Sequence, residues 1–128
     1  MKRLLLLSLM IGLVFTSVKC KKDKSTSAEA LLTAGTWNGV NMKRYDGNGN
    51  LIETVSLNGL TLDFYDDGTV KLKDHGVTMH SGEWELLDND SKIHFDWGAA
   101  GDETYEIRKL TDDQFIYGDD YHETTYER

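Results

Sequence analysis

Four histidines (His75, His80, His94 and His122) stand among 22 Asp and Glu, and these are the residues with which the chain could hold a metal ion or move a proton. Their spacing separates them. His94 alternates with Phe95 and is expected to face solvent on a strand, while His75 sits beside Gly76 at a turn. Glu83 and Glu85 share one face of a strand, as a glycosidase pair would. Trp84 and Leu86 claim the opposite face for the core, which leaves both glutamates on the outer surface. Asp46-x-Asn48-x-Asn50 begins like a calcium loop, yet Leu51 stands where that loop needs glycine and Leu57 where it needs the bidentate glutamate, so the stretch is a hairpin turn. There is no Gly-rich phosphate loop, nucleophile elbow or catalytic thiol. The sequence therefore predicts no enzyme activity, no metal and no cofactor.

Aromatic side chains are the other chemistry on offer. Trp37, Trp84, Trp97, Phe64, Phe95 and Tyr105 could line an apolar cavity, or they could be the core of a small domain. The 128 residues make one domain at most, and without an N-terminal leader they have room for one pair of layers or one small barrel. From Gly35 to Arg128, eight Lys and Arg face 20 Asp and Glu, a balance of -12, against -8 for the whole chain. A field of that sign repels phosphate backbones, which argues against a nucleic-acid partner and leaves cationic partners open. Cys20 is the only cysteine, so no intramolecular disulfide staples the fold.

Met1-Lys2-Arg3 is a positively charged start, and Leu4 to Val18 is an almost uninterrupted apolar run of 15 residues ending in small residues around Thr16 and Ser17. These are the parts of a secretory signal. A membrane-spanning helix needs ~20 residues, so export is the expectation and a permanent transmembrane anchor is not. Cys20 follows directly, ahead of Lys21-Lys22-Asp23-Lys24. In that position it resembles the lipid-modified cysteine of bacterial lipoproteins, although Lys19 stands where they usually carry Gly, Ala or Ser. The resemblance implies a signal peptide over residues 1–19 and acyl chains on Cys20 that hold the protein to a membrane. It also implies an exported outer-membrane lipoprotein facing the periplasm or the cell surface. The alternative is a cut a few residues earlier that leaves Cys20 a free thiol. Residues 20–27 are then a polar tether, whose stretch from Lys21 to Ser27 spans at most ~25 Å. Residues 28–128 form the folded domain.

Thr26-Ser27-Ala28-Glu29 fits a capping box, and Ala28 to Leu32 supplies helix formers ahead of Gly35, so one helix of about two turns opens the domain. Beyond it, apolar alternation with period two, cut by Gly, Asn and Asp every ten residues or so, predicts an all-β antiparallel meander. Strands are expected over 36–45, 51–57, 60–65, 69–74, 78–87, 92–97, 103–110, 114–117 and 121–127. If Asp66-Asp67-Gly68 is a three-residue loop, Phe64 faces Val70, Leu62 faces Leu72, and Asp63 meets Lys71 outside. If 88–91 is the next loop, Trp84 faces Phe95, Leu86 faces Ile93, and Gly82 leaves room for Trp97. A five-residue loop over 46–50 would set Trp37 on one face with Leu51, Val55 and Leu57, and Arg108 is free to point in or out.

With Gly35-x-Trp37 at the start of the first strand, a short helix before it and a meander of about eight or more strands after it, residues 31–128 resemble the lipocalin-like domains of small exported bacterial lipoproteins. The Asp67-Gly68-Thr69-Val70 turn, the Gly82-x-Trp84 strand and the terminal Tyr126-Glu127-Arg128 recur in such domains. The resemblance implies a small up-and-down β-barrel of about eight strands, closed at one end by Gly35 and Trp37, with Arg128 or Arg108 packed across the indole. It also implies a non-catalytic protein that binds a small apolar or amphiphilic ligand at the barrel mouth through Trp37, Trp84, Trp97, Phe64, Phe95 and Tyr105. A barrel this compact could instead be filled by its own side chains. It would then be an envelope interaction or inhibitor module whose acidic loops, Asp112-Asp113 and Asp119-Asp120, meet a basic protein. A cavity lined by Trp37 and Trp84 would favour the ligand.

Overall fold

In the computed structural model, which describes residues 27–128, Ser27 opens the folded chain as a helix cap. Its hydroxyl accepts from the Ala30 amide at 3.1 Å and starts α1 (Ala28–Thr33), with Glu29 in the first turn, on the favourable side of the helix dipole. Six residues cannot hold a helix alone, so α1 depends on Leu32, which is fully buried. Thr26, the expected cap, and the leader with Cys20 lie outside the described residues.

Nine strands follow, each within one residue of its expected ends: β1 (Trp37–Tyr45), β2 (Leu51–Ser56), β3 (Leu60–Phe64), β4 (Thr69–Asp74), β5 (Val77–Leu87), β6 (Lys92–Asp96), β7 (Asp102–Leu110), β8 (Gln114–Gly118) and β9 (His122–Glu127). A single 3-10 turn at Gly98–Ala100 separates β6 from β7. Each strand from β3 to β9 pairs antiparallel with the next, and β9 pairs back onto β1 to close an eight-stranded barrel. β1 serves three neighbours. Its first two residues pair with β3, residues 41–45 pair with β2, and its other edge pairs with β9 from Asn38 to Arg44. The additional strand, β2, pairs with β1 alone and is exposed along its whole length.

The β3–β4 hairpin pairs Phe64 with Val70, Leu62 with Leu72 and Asp63 with Lys71, and the β5–β6 hairpin pairs Trp84 with Phe95 and Leu86 with Ile93, as the alternation predicts. The β1–β2 hairpin departs from it. Tyr45 does face Leu51 across a five-residue loop, held by Asp46, whose carboxylate accepts from the amides of Asn50 at 2.9 Å and Asn48 at 2.8 Å. Those bonds hold the Asp46 carboxyl below the usual carboxylate range. However, the register slips between Arg44 and Tyr45, and a bulge between Gly39 and Asn41 turns β1 over. Met42 therefore joins Val55 and Thr124 on the inner face, whereas Leu51 falls with Tyr45 on the other. One inserted residue exchanges the faces of everything beyond it, so Leu51 does not share the face of Trp37.

Trp37, Phe64, Val70, Trp84, Ile93, Phe95 and Phe115 fill the half of the barrel next to α1. Phe64 meets Trp84 edge-on at 5.3 Å and Phe115 edge-on at 5.8 Å, the arrangement that aligns ring edges with ring faces. Arg128 lies across this end, its guanidinium 3.8 Å from the Trp37 ring centroid. It also donates to the carbonyls of Leu31 at 2.8 Å, Gly35 at 3.4 Å and Asp112 at 2.8 Å, and Trp37 Nε1 donates to the Leu32 carbonyl at 3.1 Å. The carbonyls left unpaired by the end of α1 are thus satisfied by the barrel. Arg108, the other candidate for this place, is a bulge residue on the outer wall, near Glu106 and Glu123. Arg128→Ala removes the cation over the indole and three donated bonds together, so a loss of about 2–3 kcal/mol is expected, read as a lower urea midpoint at unchanged slope. Arg128→Lys, a point charge without the planar fork, is expected to recover the smaller part of that loss.

Candidate functional site

The end of the barrel away from α1 is not filled. Leu62 and Leu72 pair across β3 and β4, His80 faces Leu72 from β5, Trp97 stands just past β6, Glu103 comes from β7, and Tyr117 and Tyr126 come from β8 and β9. They surround a cavity of about 210 Å³. Trp97 is stacked on Phe95 at 5.4 Å and 10°, so the floor of the cavity is continuous with the core. Gly82 gives the indole its seat, because a Cβ there would collide with the Asp96 carbonyl and come within 3.0 Å of the Trp97 ring. The opposite wall is a ladder of phenols, with Tyr105 and Tyr117 at 4.8 Å and Tyr117 and Tyr126 at 6.1 Å.

Glu103 is in the inward phase because it pairs with Phe95, as Tyr105 pairs with Ile93. Burial, and then the charge of Glu103, push the Tyr105 phenol above its ordinary range. Burial does the same to Tyr126, and pushes half-buried Tyr117 well up. The wall therefore presents protonated hydroxyls and electron-rich ring faces beside one carboxylate.

Of the six aromatic residues expected at a ligand, Trp97 lines this cavity, Phe95 is its floor, and Tyr105 stands behind Tyr117. Trp37 and Phe64 do not reach it, since both are buried in the filled half. Trp84 turns its indole nitrogen to the Tyr65 carbonyl at 3.0 Å, beside hollows of about 400 and 420 Å³ on the outer wall. Those hollows are open to solvent and edged by Asp67, Glu83 and Glu85. The histidines are dispersed: His75 bonds Asp74 and His94 bonds Thr104, both at 2.7 Å, while His122 lies 3.4 Å from Asp119. Among the described residues, no three His, Cys, Asp or Glu side chains converge as a metal site would require. Sequence reasoning missed His80, Glu103, Tyr117 and Tyr126. Both Glu103 and His80 had a signal, Glu103 in its phase with Tyr105 and Ile107 and His80 in its phase with Gly82 and Trp84.

No protein-family profile matches the chain, and no curated protein matches it in sequence. Solved structures do. A lipocalin-like protein from Bacteroides uniformis aligns with a TM-score of 0.61 over 77% of this chain and 98% of its own, at 12% identity. An uncharacterised protein from Bacteroides eggerthii aligns with a TM-score of 0.58 over 73% of this chain and 97% of its own, at 14% identity. The fold is lipocalin-like. Such identities carry the architecture and no residue roles.

Two outcomes are expected of the lipocalin-like barrel. Gly82→Ala should cost about 1–3 kcal/mol by overpacking, with a change in tryptophan emission as Trp97 is displaced. Tyr117 and Tyr126 ionise near pH ~10 in the unfolded chain but not in the barrel. Above that pH the unfolded state has released protons that the folded state retains, so the tyrosines' contribution to stability is level below pH ~10 and falls as pH rises beyond it. Denaturation midpoints between about pH 8 and 11 test this, and Tyr117→Phe should make the fall shallower.

Proposed function

We propose that the protein is a non-catalytic binder of a small apolar or amphiphilic molecule, held to a membrane of the bacterial envelope by an acylated Cys20. The observation that carries the binding reading is the divided interior, with one half packed by aromatic side chains and the other holding about 210 Å³ of space. Pockets that bury drug-sized ligands run to ~300–1,000 Å³, so this site suits a small molecule or one end of a longer one. Leu62, Leu72 and Trp97 supply the apolar contact, and the polar groups of His80, Glu103 and Tyr117 orient the guest.

The anchor rests on the apolar leader and the place of Cys20 directly after it. α1, the point where the tether joins the barrel, lies at the filled end. A tether of at most ~25 Å then sets that end toward the membrane and the mouth away from it. Lys21, Lys22 and Lys24 meet anionic headgroups while the acidic domain is held off. An interaction module built on acidic loops has less behind it. The Asp119 carboxylate is committed to its own turn, accepting from the amides of Tyr121 and His122 at 2.8 Å, and Asp113 accepts from the Thr111 hydroxyl at 2.9 Å.

Native mass spectrometry of protein taken from its own envelope tests both parts separately. Expected are an acylated Cys20 as the mature N-terminus and a retained small molecule that is lost in Trp97→Ala. An unmodified terminus upstream of Cys20 overturns the anchor, and protein that never carries a small molecule overturns the binding reading.

A further inference from the structure

We infer that the mouth receives the cationic end of its guest, a small organic ammonium group seated among the rings of Trp97, Tyr117 and Tyr126 and against the carboxylate of Glu103. This rests on the mouth being the binding site and names the chemistry it selects.

The sign of the inner wall is the first argument. Among the described residues, Glu103 is the one carboxylate lining the cavity, and no lysine or arginine lines it. The basic residues nearest in the pairing are engaged elsewhere: Arg44 with Glu53 at 2.6 Å, Lys73 with Asp63 at 3.5 Å, and Arg108 with Glu123 at 3.3 Å. Asp102 precedes Glu103, and Asp96 pairs with Asp102, so the rim beside it adds charge of the same sign. A cation would be drawn in and an anion turned away, more strongly because the domain as a whole carries an acidic excess.

Desolvation is the second. A wholly apolar guest seated here would take part of the water from Glu103, which lies at the rim, and offer it no partner in return. An ammonium group supplies that partner. It also meets ring faces whose quadrupoles favour cations, Trp97 most of all, and phenols that burial keeps protonated. Glu103 itself is exposed at the rim, within reach of a guest. His80 faces it from β5, with its ring 6.0 Å from Trp97, and the hydroxyls of Tyr105, Tyr117 and Tyr126 complete the titratable groups around it.

Three probes of one skeleton and different charge separate the possibilities: phenethylammonium, 2-phenylethanol and phenylacetate, titrated calorimetrically into the full folded chain near neutral pH. The ammonium is expected to bind at least about tenfold more tightly than the alcohol, and the carboxylate not measurably. Glu103→Gln should bring the ammonium to the level of the alcohol and leave the alcohol within about twofold, whereas Trp97→Ala should weaken both. Added salt should weaken the ammonium alone, a readout on the unaltered protein that needs no variant to fold. Equal binding of ammonium and alcohol, indifferent to Glu103→Gln, overturns the cationic preference and leaves a binding mouth standing. Binding of none of the three, or binding unchanged in Trp97→Ala, overturns both.

Discussion

The contact of Arg128 with Trp37 joins parts of the chain that are far apart in sequence. Its guanidinium stacks on the indole, and its bonds to Leu31 and Gly35 span 97 and 93 residues. Asp112, in the β7–β8 turn, is drawn into the same knot. Ordering such distant segments costs loop-closure entropy, which rises only slowly with length, so a long-range contact costs little more than a medium one once the sheet is paired. What the contact achieves is local. It satisfies the carbonyls at the end of a helix too short to survive alone, and it shuts the barrel against water at the end where the aromatic core lies.

The division of the interior follows from that seal. An eight-stranded barrel is just wide enough to be filled by side chains or to hold one small guest. Here each outcome takes half. Toward α1 the inward positions are Trp37, Phe64, Trp84, Phe95 and Phe115, whose rings account for the volume. Toward the mouth the inward positions include Gly39, Gly82 and Thr124, which fill little, and β2 leaves the wall to pair with β1 alone. Packing and open space thereby fall at opposite ends, and a substitution that loosens the mouth need not unseat the core.

Much of the architecture was legible because a strand writes its two faces into alternate residues. Nine strands and two hairpin registers follow from that alternation together with Asp-Gly and Asn-Gly turns, whereas the meander order fails at β2, which pairs with β1 and not with β3. Bulges hid the rest. The slip near Val40 inverts β1 and sends Leu51 to the face opposite Trp37, yet it leaves no mark in composition. The site residues suffered for a different reason. Aromatic type alone cannot separate a ring that packs the core from one that lines a space, so Trp37, Phe64 and Trp84 were grouped with Trp97 although they lie in the filled half.

Departures from the alternation are more informative than agreements with it. Arg44 and Glu53 take the inward phase beyond the barrel wall and neutralise each other. Asp74, in phase with Leu60, lies against His75. Glu103 takes the inward phase between Phe95 and the phenol ladder, and among the described residues no lysine or arginine lines the cavity with it. A sequence selected only for a filled barrel would place an apolar residue there, as it does at Tyr105 and Ile107 on the same strand. Sites where a chain breaks its own local rule without compensation are where function is to be sought. That criterion is why the proposed binding surface is the mouth rather than the more conspicuous Gly35-Thr36-Trp37 end.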